Sequence, residues 1–250
     1  MKSPILCAVA SACITLVLSA EDWPQFRGPG GRAVSESANP PISFGQSSNV
    51  VWKVAIPPGY SSPVVTGQRI VLTALNNGWL ETICLNRKDG QILWRKVAPV
   101  DKTKITSDSD DAGPATPTPV TDGKSVYIHF GAFGVIAYDL DGNERWRQPL
   151  TTPDLQARAS PILVGDWLIV LLDRESGSFI EARDKQTGQI QWHIERLQFR
   201  RNSATPFLWE HDHEDELIVP GTAWLTSYDA HTGTEKWVLP ESLCPNGCNR

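Results

Sequence analysis

The chain is more informative at first for what it lacks. It has one Met and five Cys in 250 residues, and no two of its cysteines are adjacent. No Gly-x-Ser-x-Gly elbow and no phosphate-cradling Gly-x-x-x-x-Gly-Lys-Ser/Thr loop occurs. The sequence signatures of α/β-hydrolases and P-loop enzymes are therefore absent. After residue 20 no apolar run approaches the eighteen or so residues that a membrane-spanning helix needs. No apolar stripe at i, i+3, i+4 follows either, which removes the periodicity of a helical fold. Positive charge is in short supply: 23 Lys and Arg face 28 Asp and Glu, for a net charge of −5. A binder of nucleic acid needs a basic patch, and none is present.

The one long apolar run lies at the start. Lys2 supplies a positive beginning, residues 4–18 read PILCAVASACITLVL, and Leu18-Ser19-Ala20 offers small residues before Glu21. Residues 1–20 thus read as a signal peptide for export to the periplasm or the extracellular space, with an uncleaved anchor as the alternative. Ala10-Ser11-Ala12-Cys13 faintly resembles a lipoprotein cleavage box, but Cys13 sits in mid-run, which argues against a lipid anchor. Beyond the signal, Cys84, Cys244 and Cys248 remain. An oxidising compartment would let Cys244 and Cys248 close a small loop across CPNGC. Cys84 stands at a position that wants a small residue and reads as a buried stand-in for Ala.

What the chain has in excess is Trp: ten, against seven Phe and four Tyr. Several of them close a repeated phrase. Residues 182–192 read ARDKQTGQIQW and residues 227–237 read SYDAHTGTEKW. CLNRKDGQILW (84–94) and the one-residue-shorter AYDLDGNERW (137–146) follow the same pattern. Trp94, Trp146, Trp192 and Trp237 therefore recur at intervals of 52, 46 and 45 residues. A second landmark keeps step: Pro63, Pro119, Pro161 and Pro206, each after Ser or Thr, stand 31, 27, 31 and 31 residues before the next of these Trp. Two landmarks in phase identify a repeat architecture.

Each repeat reads as four short antiparallel strands. SPVVTGQRIVLTAL, TPVTDGKSVYIHFG and SPILVGDWLIVLLD each give a strand, a Gly-containing turn and a Val/Ile/Leu-rich strand. The small-x-Asp strand, a Gly turn and a strand ending at Trp complete the unit. Asp184 and Asp229, like Asp139, can accept backbone N–H bonds that close the turn, with Thr187 and Thr232 beside them. Gly142, Gly188 and Gly233 supply positive φ. Ala137, Ala182 and Ser227 stay small so that another surface can approach. Trp94, Trp146, Trp192 and Trp237 are placed to supply it, each indole lying against a neighbouring unit's turn. Four-stranded sheets repeated radially make an all-β propeller.

The phrase Ala-x-Asp-x-x-Thr-Gly-x-x-x-Trp resembles the tryptophan-docking motif of the quinoprotein-type, PQQ-like propellers. That family includes pyrroloquinoline-quinone (PQQ) dehydrogenases and an outer-membrane protein assembly factor. The resemblance spans roughly residues 46–239, and Trp23-Pro24-Gln25-Phe26-Arg27-Gly28-Pro29 is similar to the opening of many exported members. It implies a ring of seven or eight blades. Here the motifs give four complete blades plus one orphan strand ending at Trp52, an incomplete ring. The expected organisation is a signal over 1–20, an extended segment over 21–45 and a partial propeller over 46–250. Open blade edges invite self-association. A compact four-blade ring with Trp52 outside it is the alternative.

Other candidate chemistry is thin. HDHEDE (211–216) has metal-binding residue types but falls on a turn and reads as a solvated hairpin loop. DSDDAG (108–113) lacks the further spacing of a calcium loop. Arg200-Arg201 reads as a solvated pair, and Trp79, Trp167, Trp209 and Trp224 are the aromatic candidates for a cofactor floor. The resemblance implies adjacent Cys and calcium ligands in a dehydrogenase, and no Cys pair is present. The sequence thus favours an exported, non-catalytic propeller that binds a protein or peptide on one face. The second reading is a piece of a PQQ- and calcium-dependent dehydrogenase of alcohols or sugars. A third is a fragment that does not fold stably.

Overall fold

The computed structural model describes residues 21–36, 40–99, 113, 115–150, 158–211 and 214–240. The signal-like residues 1–20, all of DSDDAG except Gly113, the middle of HDHEDE (212–213) and CPNGC lie outside the described residues.

The described residues form four separate sheets of four strands, each in simple chain order and antiparallel throughout. Sheet 1 contains β1 (Val64–Thr66), β2 (Arg69–Asn76), β3 (Trp79–Asn86) and β4 (Ile92–Val97). Sheet 2 contains β5 (Val120–Thr121), β6 (Ser125–His129), β7 (Val135–Asp139) and β8 (Glu144–Gln148). Sheet 3 contains β9 (Ile162–Val164), β10 (Trp167–Leu172), β11 (Phe179–Asp184) and β12 (Ile190–Glu195). Sheet 4 contains β13 (Phe207–His211), β14 (Glu214–Pro220), β15 (Trp224–Asp229) and β16 (Glu235–Pro240). No α-helix occurs among the described residues, and none of their helical turns is long and apolar enough to cross a membrane.

The sheets stack face to face, which explains their composition. Cys84 and Val71 of sheet 1 pack on Val126, Ile128 and Tyr138 of sheet 2. Ala137 and Trp146 pack on Leu168 and Val170 of sheet 3. Ala182 and Ile180 pack on Leu217 and Tyr228 of sheet 4. A strand between two neighbouring sheets is buried on both faces, so β6 is buried along its whole length. The outermost strands β4 and β12 alternate between exposed and half-buried instead, because one side meets water.

The stack has two unlike ends. On the free face of sheet 1, Trp52 and Val54 cover Leu72, Ala74, Ile83 and Leu85. Residues 50–63 form no strand, though the Leu75 amide of β2 donates to the Pro58 carbonyl at 2.8 Å. The other end leaves Phe207, Trp209 and Leu239 of sheet 4 about two fifths exposed (41%, 44% and 42%). The sheets do not close into a ring, as the blade count implies.

Antiparallel order also fixes two rims. The β1–β2 type turns and the Asp-Gly turns between third and fourth strands lie at one end. The turns between second and third strands share the other end with the connections from one sheet to the next. On this second rim a buried ion pair within sheet 3 reaches sheet 4 through one hydrogen bond. Arg196 is fully buried, bonds Asp173 through Nε at 2.8 Å and Nη2 at 3.0 Å, and donates to the Tyr228 hydroxyl at 2.6 Å. Its guanidinium carbon lies 3.6 Å from the centre of the Phe199 ring. Asp173→Ala should therefore destabilise the fold by about 3–5 kcal/mol in urea denaturation, because it strands a buried cation. A cost under about 1 kcal/mol would show that water reaches the pair.

Candidate functional site

The repeated residues come together between sheets. Within each sheet the small residue is the cross-strand partner of that sheet's own Trp: Cys84 with Trp94, Ala137 with Trp146, Ala182 with Trp192 and Ser227 with Trp237. The indole lies over that small side chain and reaches forward to the following sheet. Trp94 Nε1 donates to the Leu140 carbonyl at 3.0 Å, and Trp146 Nε1 donates to the Lys185 carbonyl at 3.0 Å. Trp52 does the same to the Arg87 carbonyl at 2.9 Å. Under each ring is the turn glycine. A Cβ on Gly90, Gly142, Gly188 or Gly233 would meet Trp52, Trp94, Trp146 or Trp192 at 2.5, 2.8, 2.6 and 2.8 Å respectively. All four glycines also have positive φ, so the residue is required twice over.

The carboxylates shape those turns. Asp184 accepts from the Gln186 and Thr187 amides, each at 2.8 Å, and from the Thr187 hydroxyl at 3.1 Å. Asp229 accepts from the His231 and Thr232 amides at 3.0 and 2.8 Å and from the Thr232 hydroxyl at 2.9 Å. Burial pushes the Asp229 carboxyl up, but the bonds from Thr232 and the backbone outweigh it and leave it below its usual range. Asp139, in the shortened turn, uses Asn143 in place of Thr and is likewise held low despite its burial. In the divergent first turn Asn86 takes the acceptor role, bonding the Lys88 amide at 2.8 Å.

An inner row of bonds escaped the sequence reading. The Ser62 amide donates to Thr118 Oγ1 at 3.0 Å, the Thr118 amide to Ser160 Oγ at 3.0 Å, and the Ser160 amide to Thr205 Oγ1 at 3.1 Å. These are the Ser/Thr residues of the Ser/Thr-Pro landmarks. The following Pro keeps its predecessor extended, which aims each amide at the neighbouring sheet. The only sequence signal was the fixed phase of the Pro steps.

Among the described residues no sheet follows Trp237. Trp237 Nε1 instead donates to Glu216 Oε2 at 2.8 Å in its own sheet. Glu216 is 5% exposed and also receives the Ser227 hydroxyl at 2.6 Å, with His211 Nε2 and Lys236 Nζ each 3.2 Å from Oε1. The Ser227 bond, with those of Trp237, Lys236 and His211, outweighs burial and holds this carboxyl down to about 2. Among the described residues of the acidic run Glu216 is the buried one, in a segment read as solvated.

Between sheets 2 and 3 lies a cleft of about 590 Å³. Glu181 at its wall bonds Arg183 Nε at 2.7 Å and His193 Nδ1 at 3.2 Å. The Ser178 hydroxyl nearby is taken by the Arg174 and Phe199 carbonyls at 2.9 and 3.1 Å. The His–Glu pair therefore has no activated nucleophile beside it. Cys84 is fully buried, and burial pushes its thiol up to about 11, far from a reactive thiolate. Trp79, Trp167, Trp209 and Trp224 do not form one floor. Trp79 and Trp224 open third strands on the connection rim, Trp167 opens a second strand at the opposite rim, and Trp209 lies on β13 beside His211. Arg200 and Arg201 are exposed; Arg201 approaches Glu175 at 3.9 Å.

A family model described as "Outer membrane protein assembly factor BamB" matches residues 29–195. No curated protein matches the chain. Among solved structures, the quinohemoprotein alcohol dehydrogenase of Comamonas testosteroni superposes with a TM-score of 0.64 at 15% identity, over 89% of this chain and 41% of that one. A quinohemoprotein alcohol dehydrogenase of Pseudomonas putida HK5 gives 0.60 at 12% identity, over 89% and 40%. A europium-containing methanol dehydrogenase gives 0.52 at 12% identity, over 74% and 42%. The chain thus spans about two fifths of these structures, and at such identities the likeness is one of fold.

Two outcomes follow from this geometry. Gly188→Ala should destabilise by more than Gly67→Ala in matched chemical unfolding. Both carry positive φ, worth about 1–2 kcal/mol, but only the first collides with an indole. Equal costs would contradict the contact. Stability should fall as the pH drops from about 4.5 to about 2, since Glu216 is ionised in the folded state down to that range and is protonated earlier when unfolded. Glu216→Gln should be less stable at pH 7 and should lose less stability over that window. Parallel pH profiles would contradict the network.

Proposed function

The chain belongs to the family described as outer membrane protein assembly factor BamB, and from that membership we propose that it is an exported, non-catalytic propeller that binds a protein or peptide on its connection rim. In this reading the repeated residues, from Trp94 to Trp237, hold the sheets in register, and the partner is met elsewhere. The supporting observation is a pair of equivalent aromatics. Trp79 and Trp224 each open the third strand of their sheet, and each is 39% exposed on the rim that carries the sheet-to-sheet connections. Leu197, in a connection on the same rim, is 64% exposed. Large apolar side chains left in water on a rigid frame are the usual anchors of a protein interface.

Among the described residues, those along the inner sides of the first strands do not fit a quinone with calcium. The inner margin offers Ser and Thr side chains whose hydroxyls already accept neighbouring amides, and the backbone of Trp23 and Pro24 crosses it. Among the described residues, no group of three or more His, Cys, Asp or Glu side chains is placed to hold a metal ion.

A photocrosslinking residue at position 197, in the envelope of the source cell, should trap a discrete polypeptide. Trp79→Ala with Trp224→Ala should reduce that adduct at least about tenfold, one decade per roughly 1.4 kcal/mol, while far-UV melting of the purified variant keeps its midpoint. Absence of any rim adduct would contradict the proposal. So would dye-linked alcohol oxidation on addition of quinone and calcium.

A further inference from the structure

The first strands of the four sheets, β1, β5, β9 and β13, form the inner margin, joined by the Ser/Thr row described above. Their inner sides have no partner strand in their own sheets. An unpaired strand edge is a template for another extended segment. Residues 21–33 use it. Trp23 and Val65 exchange both backbone bonds, N to O in each direction at 2.9 Å. The Thr121 amide of sheet 2 donates to the Pro24 carbonyl at 2.9 Å. Asp22 anchors the start: its carboxylate accepts the Gly67 amide at 2.9 Å and the Thr66 hydroxyl at 3.4 Å. Arg87 Nη2 donates to the Glu21 carbonyl at 3.4 Å. The segment then runs over sheets 3 and 4, where Gln25, Phe26 and Arg27 share a cavity of about 440 Å³ with Leu163 and Phe207.

The segment also has its own shape. The Trp23 indole lies on Gly28, where a Cβ would stand 2.7 Å from the ring and φ is +70°. The Ala33 amide donates back to the Arg27 carbonyl at 2.7 Å. It is a folded-back strap tied to sheet 1 by polar bonds at its start, through Glu21 and Asp22. That combination is the recognition mode in which backbone bonds give affinity and a few side chains give specificity.

We propose that the inner margin of sheets 1 and 2 is a strand-addition site for an extended Asp-Trp-Pro segment, that the chain's own Asp22–Pro24 fills it, and that a free peptide of the same chemistry displaces the strap. The tether supplies a high local concentration, so a contact of few bonds stays closed in the intact chain. It concerns a different surface from the rim scaffold.

The test uses the full chain with a protease recognition sequence inserted after Glu36. After cutting, the strap should co-elute with the remainder. A labelled synthetic peptide of residues 21–33 should then replace it, and the same peptide with Trp23→Ala should compete at least about tenfold less well. Release of the strap at once from a remainder that keeps its far-UV spectrum would overturn the proposal. Elution at twice the mass before cutting, with the strap crosslinking to a differently tagged copy, would assign it to a second copy and overturn the occupant named here. If the remainder unfolds on cutting, hydrogen exchange in the uncut chain decides. Asp22→Ala should speed exchange of the Val65 and Thr121 amides at least about tenfold with other sheet 1 amides unchanged, and equal protection would overturn the site.

Discussion

Everything in this fold depends on how one four-stranded sheet is joined to the next, and the contact is an indole lying on a glycine turn. The ring covers apolar area while its one N–H reaches a carbonyl that the turn would otherwise leave to water. Trp94 on Gly142 and Trp146 on Gly188 are the full examples. Trp192 packs on Gly233 in the same way, but its Nε1 is buried without an acceptor, which makes the joint between sheets 3 and 4 the least satisfied. There the buried pair of Arg196 and Asp173 with Tyr228 adds polar contacts across the same boundary. The fold thus spreads its coupling between an outer indole, an inner hydroxyl row and, at two boundaries, an arginine: Arg69 to Asp141 and Arg196 to the Tyr228 hydroxyl.

These joints have a direction. Indole and amide donors always sit on the earlier sheet, and carbonyl and hydroxyl acceptors on the later one. Arg69 obeys the same polarity, reaching the Leu140 carbonyl at 2.7 Å and Asp141 at 2.6 Å. A head-to-tail interface of this kind either closes into a ring or leaves two unlike ends. Here it leaves two ends, each finished differently. Trp52 and Val54 cover the acceptor end, and at the donor end Trp237 turns to Glu216.

Much of this could be read from the chain because its constraints are local. A turn that needs Asp184 as acceptor, Thr187 beside it and Gly188 at positive φ leaves a fixed phrase, and phrases repeat visibly. The sheet count and the open ring followed from that periodicity. Contacts between distant residues leave no such phrase. The amide of Ser62 meets the hydroxyl of Thr118 because two sheets stack, and neither residue type announces it. Glu216 looked solvated among its acidic neighbours because only the register of β14 tells which of them points inward. The strap at Trp23 was legible as a family resemblance, while its path across the inner strands depends on where the four sheets already stand. Nor could the exposure of Trp79 and Trp224 be read ahead: they were candidates for a cofactor floor, and only the fold shows that they open third strands on the connection rim.

The most direct test of the central contact is indole hydrogen exchange by nuclear magnetic resonance. The account predicts that the Nε1 protons of Trp52, Trp94 and Trp146 exchange at least about a hundredfold more slowly than that of Trp224, matching the slow backbone amides of the sheets they join. Exchange of Trp94 and Trp146 at the rate of Trp224 would mean that no indole bridges the sheets, and the account would fail.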